Sequence, residues 1–398
     1  MKGKQIKEVF IKSLLGLCGT VSSIAVILII VFLFREGFGL FSVPPVSEGY
    51  ALVINESNPV KELDADQIRL IYESEIVNWK MLGGNDEPIT VFDFDYLSER
   101  YDEEQLGESF ENLSAIIQTN VESTPGIFAI FPEKYMPDGL QDVFVADNSI
   151  IDFITGESWY PTAKPAAIFG ILPIILGTLW VTLGSIIIAI PLGLGASIYM
   201  AEIAHPNILK FLKPTIELLA GIPSVVYGFF GLVVIVPYIQ SVFNLAVGET
   251  ALAGSIMLGI IALPTIITLS EDAIRSTPKS VKMASLALGA THWQTIVRVI
   301  VPYSISGITT ASILGVGRAI GETMAVLMVT GNAAVIPGSF LEPVRTIPAT
   351  IAAELGEAPI GGAHYKALFV LGCILFIFTF LINTIVEIIS SKKSLKKG

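Results

Sequence analysis

The chain is 398 residues long, 52% hydrophobic and 15% charged, with a mean hydropathy of +0.69 and a formal net charge of −12. That is too apolar for a soluble domain and places the chain among polytopic membrane proteins. It excludes nucleic-acid binding, which needs a basic patch, and the two cysteines, Cys18 and Cys373, lie far apart in apolar runs where they read as small packing residues.

Charge is segregated along the chain. Residues 36–165 hold 25 acidic and 6 basic side chains, and the remainder holds 11 and 18. An acidic, water-soluble block is therefore inserted into a mildly basic membrane protein.

The chain opens with the basic stretch "MKGKQIKEVFIK", followed by an apolar run from Ser13 to Phe34. A secretory signal has this plan, but this apolar core is too long and no A-x-A site follows. Residues 1–35 read as a cytoplasmic segment and an uncleaved first membrane helix. Residues 36–165 form the inserted block, which reads as a small α/β unit. "YALVIN" is a predicted strand, and "DADQIRLIYES" a helix with Asp64 near its N-cap. "GGNDEPITVF" reads as a turn and strand, "DEEQLGESFENLSAIIQ" as one acidic amphipathic helix, and "GIFAIF" as another strand.

Further spans are predicted at 168–200, 215–240, 250–270, 303–330 and 366–390, which makes six helices, five of them in a core over 166–398. The positive-inside rule sets their orientation. The segments 1–12, 201–214, 271–302 and 391–398 carry Lys2, Lys4, Lys7 and Lys12; Lys210 and Lys213; Arg275, Lys279, Lys282 and Arg298; and Lys392, Lys393, Lys396 and Lys397. The segment 241–249 has no Lys or Arg, and 331–365 has only Arg345. Both termini are therefore expected in the cytoplasm and the acidic block outside.

Within the third span, "ELLAGIPSVVYG" makes Gly221, Pro223 and Ser224 candidates for a broken helix lining a translocation path; a simple packing kink is the other reading. Glu217 is expected near the inner interface beside a Lys. The stretch "STPKSVKMASLALGATHWQTIVRVIVP", 276–302, is too polar to span and too apolar for a solvated loop. A cytoplasmic helix–turn–helix fits, broken at Gly289-Ala290-Thr291, with Pro302 opening the next span. A partner gripping this elbow and a helix lying on the membrane both remain open.

The fifth span contains "GVGRAIGETMAV". At 1.5 Å per residue, Arg318 lies roughly 20 Å into a helix beginning near Pro302. A helical wheel puts Ala311, Gly315, Arg318, Glu322 and Ala325 on one small-residue face. Two readings stand: a structural ion pair between Arg318 and Glu322, or a guanidinium that attracts an oxyanion while Glu322 keeps the empty site near neutral. Arg345 and Glu354 flank a short amphipathic helix and read as a solvated face, with a gate or docking role as the alternative.

No catalytic constellation is present. His205, His292 and His364 are scattered without carboxylate or Cys at ligand spacing, so no metal site is expected. No G-x-x-x-x-G-K-[ST] loop occurs, so the chain itself hydrolyses no ATP and needs no cofactor.

The elbow resembles the coupling loop of ABC-importer permeases. Ala284, Gly289, Val299, Val301 and Pro302 fall at the family's spacing, while Met283 and Ser285 replace the outer residues of its Glu-Ala-Ala triplet. "WYPTAKPAAIFGILPIILGTL", "IELLAGIPSVVYGFFGL", "GRAIGETMAV", "RTIPATIAAELGEA" and "HYKALF" resemble the phosphate-importer (PstC-like) permease family over roughly 158–390. This implies an all-α, six-helix ABC type I importer permease fold with an α/β extracytoplasmic insertion. It implies a multi-pass protein of a prokaryotic cell membrane, a non-enzyme working with a second permease (PstA-like), a cytoplasmic ATPase dimer (PstB-like) and an extracytoplasmic phosphate-binding protein (PstS-like). Coupling would fall to Ala284, Ser285, Gly289, Ala290, Thr291, Val299 and Pro302. The block itself resembles part of a phosphate-binding protein in "ALVINESNPVKELDADQIRLIYESEIVNWKMLGGNDEPITVF", but "DFDYLSERYDEE" stands where that family carries its Ser-Gly-Thr phosphate loop. A permease for sulfate, molybdate or phosphonate, or a phosphate-sensing membrane component, are the alternatives.

Overall fold

The computed structural model describes residues 2–42, 46, 49–107, 109–137, 139–145 and 149–394. Lys396 and Lys397 lie outside the described residues, as do the side chains of Lys2, Lys4, Lys7, Lys392 and Lys393. The chain divides into two units. One takes in Met1–Phe34, Leu172–Ala358 and Leu368–Gly398, and the other Arg35–Ile171 and Pro359–Ala367.

The smaller unit is built on strands β1 (Tyr50–Ile54), β2 (Glu62–Leu63), β3 (Thr90–Phe92), β4 (Ile127–Pro132), β5 (Gln141–Asp142), β6 (Phe144–Val145), β7 (Trp159–Tyr160) and β8 (Ile168–Phe169). The main sheet has the order β3-β4-β1-β5. β1 runs antiparallel to β4, with Val53 opposite Ala129, and β3 runs parallel to β4, with Val91 opposite Phe128. Residues 127–131 of β4 are all buried because both faces of the strand are covered. Leu52, Ile54, Phe128 and Ile130 meet Trp79 and the helix Ala65–Tyr72 on one face. Val53, Ala129, Phe131 and Phe92 meet Leu113, Ile117 and Val121 of the helix Leu113–Ser123 on the other.

The Asp64 cap forms as expected, in a capping box where its carboxylate accepts from the Gln67 N–H and Gln67 returns a bond to the Asp64 N–H. The acidic segment after it is a correction. It is not one helix but two, Glu103–Leu106 and Leu113–Ser123. Gly107 at φ +79 and Phe110 at φ +60 reverse the backbone between them, a conformation no helix interior adopts.

Among the described residues six helices, mainly in the larger unit, are long and apolar enough to cross a membrane: Phe10–Ser42, Leu172–Ile203, Ser224–Phe243, Ala251–Arg275, His292–Ile320 and Ala363–Thr384. The first belongs to this unit only through Phe34, and the last only from Leu368. The fourth span is the hub, with 61% of its most apolar window buried against 0% for the first. Glycines let its neighbours close on it: a Cβ at Gly184 would stand 2.2 Å from Ser255 Oγ, and one at Gly315 would stand 2.4 Å from Ile266 Cγ1. The first and last spans touch through Phe32–Phe369 and Phe34–Phe376 edge-to-face pairs and a Cys373 Sγ contact to the Leu33 carbonyl at 3.5 Å.

Two boundaries differ from expectation. The third span starts at Ser224, not near 215; residues 206–221 form a separate helix, because Pro223 takes an extended ψ of 139° and cannot continue the turn. The fifth span starts at His292, so Pro302 does not open it. The turn Ile296–Ile300 widens to π pitch just before Pro302, and this loosening accommodates the missing N–H and the ring inside a continuous helix.

Candidate functional site

Arg318 stands in the last turn of the helix Val301–Ile320. Counted from His292 it lies about 39 Å along the span, at its far end rather than midway. The helix stops at Gly321 for local reasons. Gly317 and Gly321 weaken it by about 1 kcal/mol each relative to Ala. Glu322 Oε1 takes the Thr323 N–H at 3.2 Å, and Thr323 Oγ1 donates to the Gly321 carbonyl at 3.3 Å, so side chains compete for the backbone groups of the next turn. A new helix, Met324–Val329, follows.

This break overturns the expected shared face. Glu322 lies beyond the helix that carries Arg318, and among the described residues no ion pair joins the two. Arg318 is exposed; Nη1 donates to Thr265 Oγ1 of the fourth span at 3.4 Å, and the terminal carbonyls of its own helix favour the charge. Its charge is also within electrostatic range of the Tyr227 phenol on the third span.

Tyr227 ties the second break to this place. Its hydroxyl donates to the Leu219 carbonyl at 2.8 Å, which also accepts the Ile222 N–H at 3.3 Å where the helix Pro206–Gly221 ends before Pro223. Gly221 is exposed with nothing within 4 Å of where a Cβ would be, so it permits no close backbone approach here. Gly228 does so instead: a Cβ there would stand 2.9 Å from Ala325 Cα, which sets the third span against the helix after Glu322. Ser224, half-buried, begins the helix Ser224–Phe230. Arg318 and Thr265 are joined by a hydrogen bond, and Tyr227 is joined by another to the end of the helix before the third span, while Glu322 is half-buried beyond the break that follows Arg318.

The elbow is a separate construction. The helix Lys279–Ala287 carries Ala284 and Ser285 and ends in Gly289 at φ +86, a left-handed turn that favours glycine. The Ala290 N–H donates to the Ser285 carbonyl at 3.3 Å, and Thr291 caps the next helix in a capping box with Gln294. Ser285 Oγ and Thr295 Oγ1, 3.0 Å apart, bond the two arms together. Val299 lies in the π turn and Pro302 in the helix beyond it. Met283, Leu286, Leu288 and Trp293 are all exposed on the elbow, Leu288 at 90%.

A network of charges at the root of the elbow escapes a reading of the sequence. Glu271 is 1% exposed and accepts from Arg275 Nε at 2.7 Å, with Lys213 Nζ at 3.6 Å on its other oxygen. Arg275 also donates to the Met200 carbonyl at 2.9 Å. Lys282 of the elbow helix pairs with Glu202 at the end of the second span, and the His292 ring meets the Glu202 carbonyl at 3.2 Å. Glu271 and Arg275 at i, i+4 are the one visible signal. Lys213, four residues before Glu217, meets Glu271 instead.

The solvated face expected at Arg345 and Glu354 is also corrected. Their side chains are 18% and 14% exposed and form an ion pair at 2.8 Å across the helix Ile347–Glu354.

Residues 193–394 match the family of binding-protein-dependent transport system inner membrane components, and residues 32–166 match a PBP superfamily domain. The probable ABC transporter permease protein YqgH of Bacillus subtilis is 43% identical over 255 residues, covering 64% of this chain and 82% of that protein. The phosphate transport system permease protein PstC of Mesorhizobium japonicum is 37% identical over 252 residues, covering 58% of this chain and 76% of that protein. Among solved structures, the inward-facing MetNI methionine ABC transporter aligns over 55% of this chain and 93% of that chain, at 19% identity and a TM-score of 0.43.

Proposed function

The chain belongs to the family of binding-protein-dependent transport system inner membrane components, and on that premise we propose that it is a permease subunit of an ATP-driven importer of inorganic phosphate. Relatives at 32–37% identity carry the name of phosphate transport permease. The observation that carries the reading is Arg318, an exposed guanidinium at a helix end with no carboxylate in ion-pairing distance among the described residues. Its planar donors match two oxygens of an oxyanion. Glu322 has one oxygen on the Thr323 N–H; the other accepts from a protonated phosphate oxygen. Fully ionised sulfate has no proton to give there.

In this reading Gly221, Pro223 and Ser224 border the path where the third span is broken. The exposed apolar residues of the elbow are the seat of one subunit of a cytoplasmic ATPase dimer, seated as a helix in a groove. A second, related permease completes the path, and an extracytoplasmic phosphate-binding protein delivers the substrate. Both termini face the cytoplasm, and the block 36–165 lies outside. With the phosphate loop replaced and an acidic excess that repels a dianion, the block is not itself the phosphate receptor.

The test is uptake into proteoliposomes holding the full complex with its binding protein. Labelled phosphate is expected to accumulate with ATP hydrolysis, and labelled sulfate is not. Equal accumulation of sulfate would replace phosphate with a broader oxyanion substrate.

A further inference from the structure

Ile150, Ile151 and Ile154 are 50%, 71% and 42% exposed on the short helix Ile150–Thr155 of the smaller unit. Their positions fall at 0°, 100° and 40° around the helix, one apolar arc. Asp152 points about 150° away from the middle of that arc. Phe153, buried, turns from the arc into the unit itself. Three exposed isoleucines on a single turn and a half require a cover that the unit does not supply.

The contacts of this helix identify the cover. The Phe153 carbonyl accepts from the Ile171 N–H at 2.9 Å, and Leu172, the next residue, begins the second span. The Phe153 ring packs edge-to-face on Phe41 at 5.8 Å, and Phe41 is in the last turn of the first span, which ends at Ser42. Gly156 and Gly170 fix the register of this seating, for a Cβ on Gly170 would lie 2.4 Å from the Gly156 carbonyl carbon. The helix is thus held beside the last turn of the first long apolar helix and the residue that precedes the second. We propose that Ile150, Ile151 and Ile154 insert into the bilayer interface and moor the acidic unit to the lipid surface.

The occupant is lipid rather than protein because the helix that carries the arc is hydrogen-bonded through Phe153 to Ile171, one peptide bond before a membrane span. Interfacial helices bury an apolar face about 5–10 Å into the boundary of headgroups and acyl chains, and Tyr160, 56% exposed, lies in the β7–β8 hairpin leading to the same span, where aromatic residues favour the interface. The net negative charge of the unit rules out attraction to anionic lipid as the driving force. The mooring is therefore apolar, forms on zwitterionic bilayers and is insensitive to salt.

The test uses the full chain in phosphatidylcholine nanodiscs, with Cys18→Ser and Cys373→Ser as background. A nitroxide is placed singly by Ile151→Cys, Ile154→Cys, Asp152→Cys and Lys80→Cys, and its collisions with oxygen and with a water-soluble nickel chelate are compared. At 151 and 154 the ratio of oxygen to nickel collisions is expected to be severalfold higher than at 152 and 80, and to hold from low to high salt. Equal ratios at 151 and 152 overturn the proposal, whether the helix is solvated or lost. So does shielding of 151 and 154 from both agents, the signature of a second copy or a protein partner.

Discussion

Glu271 and Arg318 both belong to long apolar helices that pack on each other, and they are treated in opposite ways. Glu271 is 1% exposed, with Arg275 and Lys213 on its two oxygens. Arg318 is exposed and, among the described residues, has the Thr265 hydroxyl at 3.4 Å as its hydrogen-bond partner. Thr265 and Glu271 are six residues apart on one helix, about 9 Å along its axis. Over that distance the protein moves from a charge saturated by its own chain to a charge left open. A buried carboxylate must be paired, because desolvation outweighs any single contact. An exposed guanidinium at a helix end needs no internal partner, since the terminal carbonyls and solvent already favour it. The first arrangement holds helices together; the second leaves donors for a ligand.

Four substitutions sharpen this contrast. Arg275→Met leaves the buried Glu271 with Lys213 alone, and is expected to cost about 3 kcal/mol, the low end for stranding a buried charge, since Arg275 itself is 43% exposed. Thermal unfolding in detergent should show the largest drop in apparent Tm of the set. Arg345→Gln removes a charge-assisted bond between two largely buried side chains, for about 2 kcal/mol. A double-mutant cycle with Glu354→Gln should return that value as coupling. Lys282→Glu opposes Glu202 and is expected to lose about 1 kcal/mol and to impair anchoring of the elbow, and adding Glu202→Lys should restore most of it. Failure of the swap would mean that the pair is not what links the elbow to the second span. Arg318→Gln is expected to leave unfolding within about 0.5 kcal/mol of the parent. A Tm loss as large as that of Arg275→Met would erase the distinction between the two charges.

Features that rest on short-range pattern were legible in the sequence. The six apolar runs are each long enough to span. The Asp64 cap announces itself by Gln67 three residues on, and β4 by an unbroken apolar run. What was not legible depends on groups distant in sequence. Glu202 and Lys282 are eighty residues apart, and nothing local marks Glu202 as a buried partner. Arg345 and Glu354 look like ordinary surface charges until the helix between them brings them together. Prolines and glycines misled in both directions. Pro302 reads as a helix start, yet a widened turn absorbs it. Gly321 stands in the run that suggests the Arg318–Glu322 face, yet with Thr323 it ends the helix and carries Glu322 off that face. The helical wheel failed there because it assumes the helix it is meant to test.

The open charge at Arg318 is the feature on which substrate binding is expected to depend. The most direct measurement is labelled phosphate uptake by the reconstituted complex carrying Arg318→Gln, with recovery of the assembled complex measured in the same preparation. Loss of one charge-assisted, bidentate contact is worth about 1.5–3 kcal/mol, so transport should fall roughly 10- to 100-fold while assembly is unchanged. Uptake at the parent level in an intact complex would contradict a substrate role for Arg318.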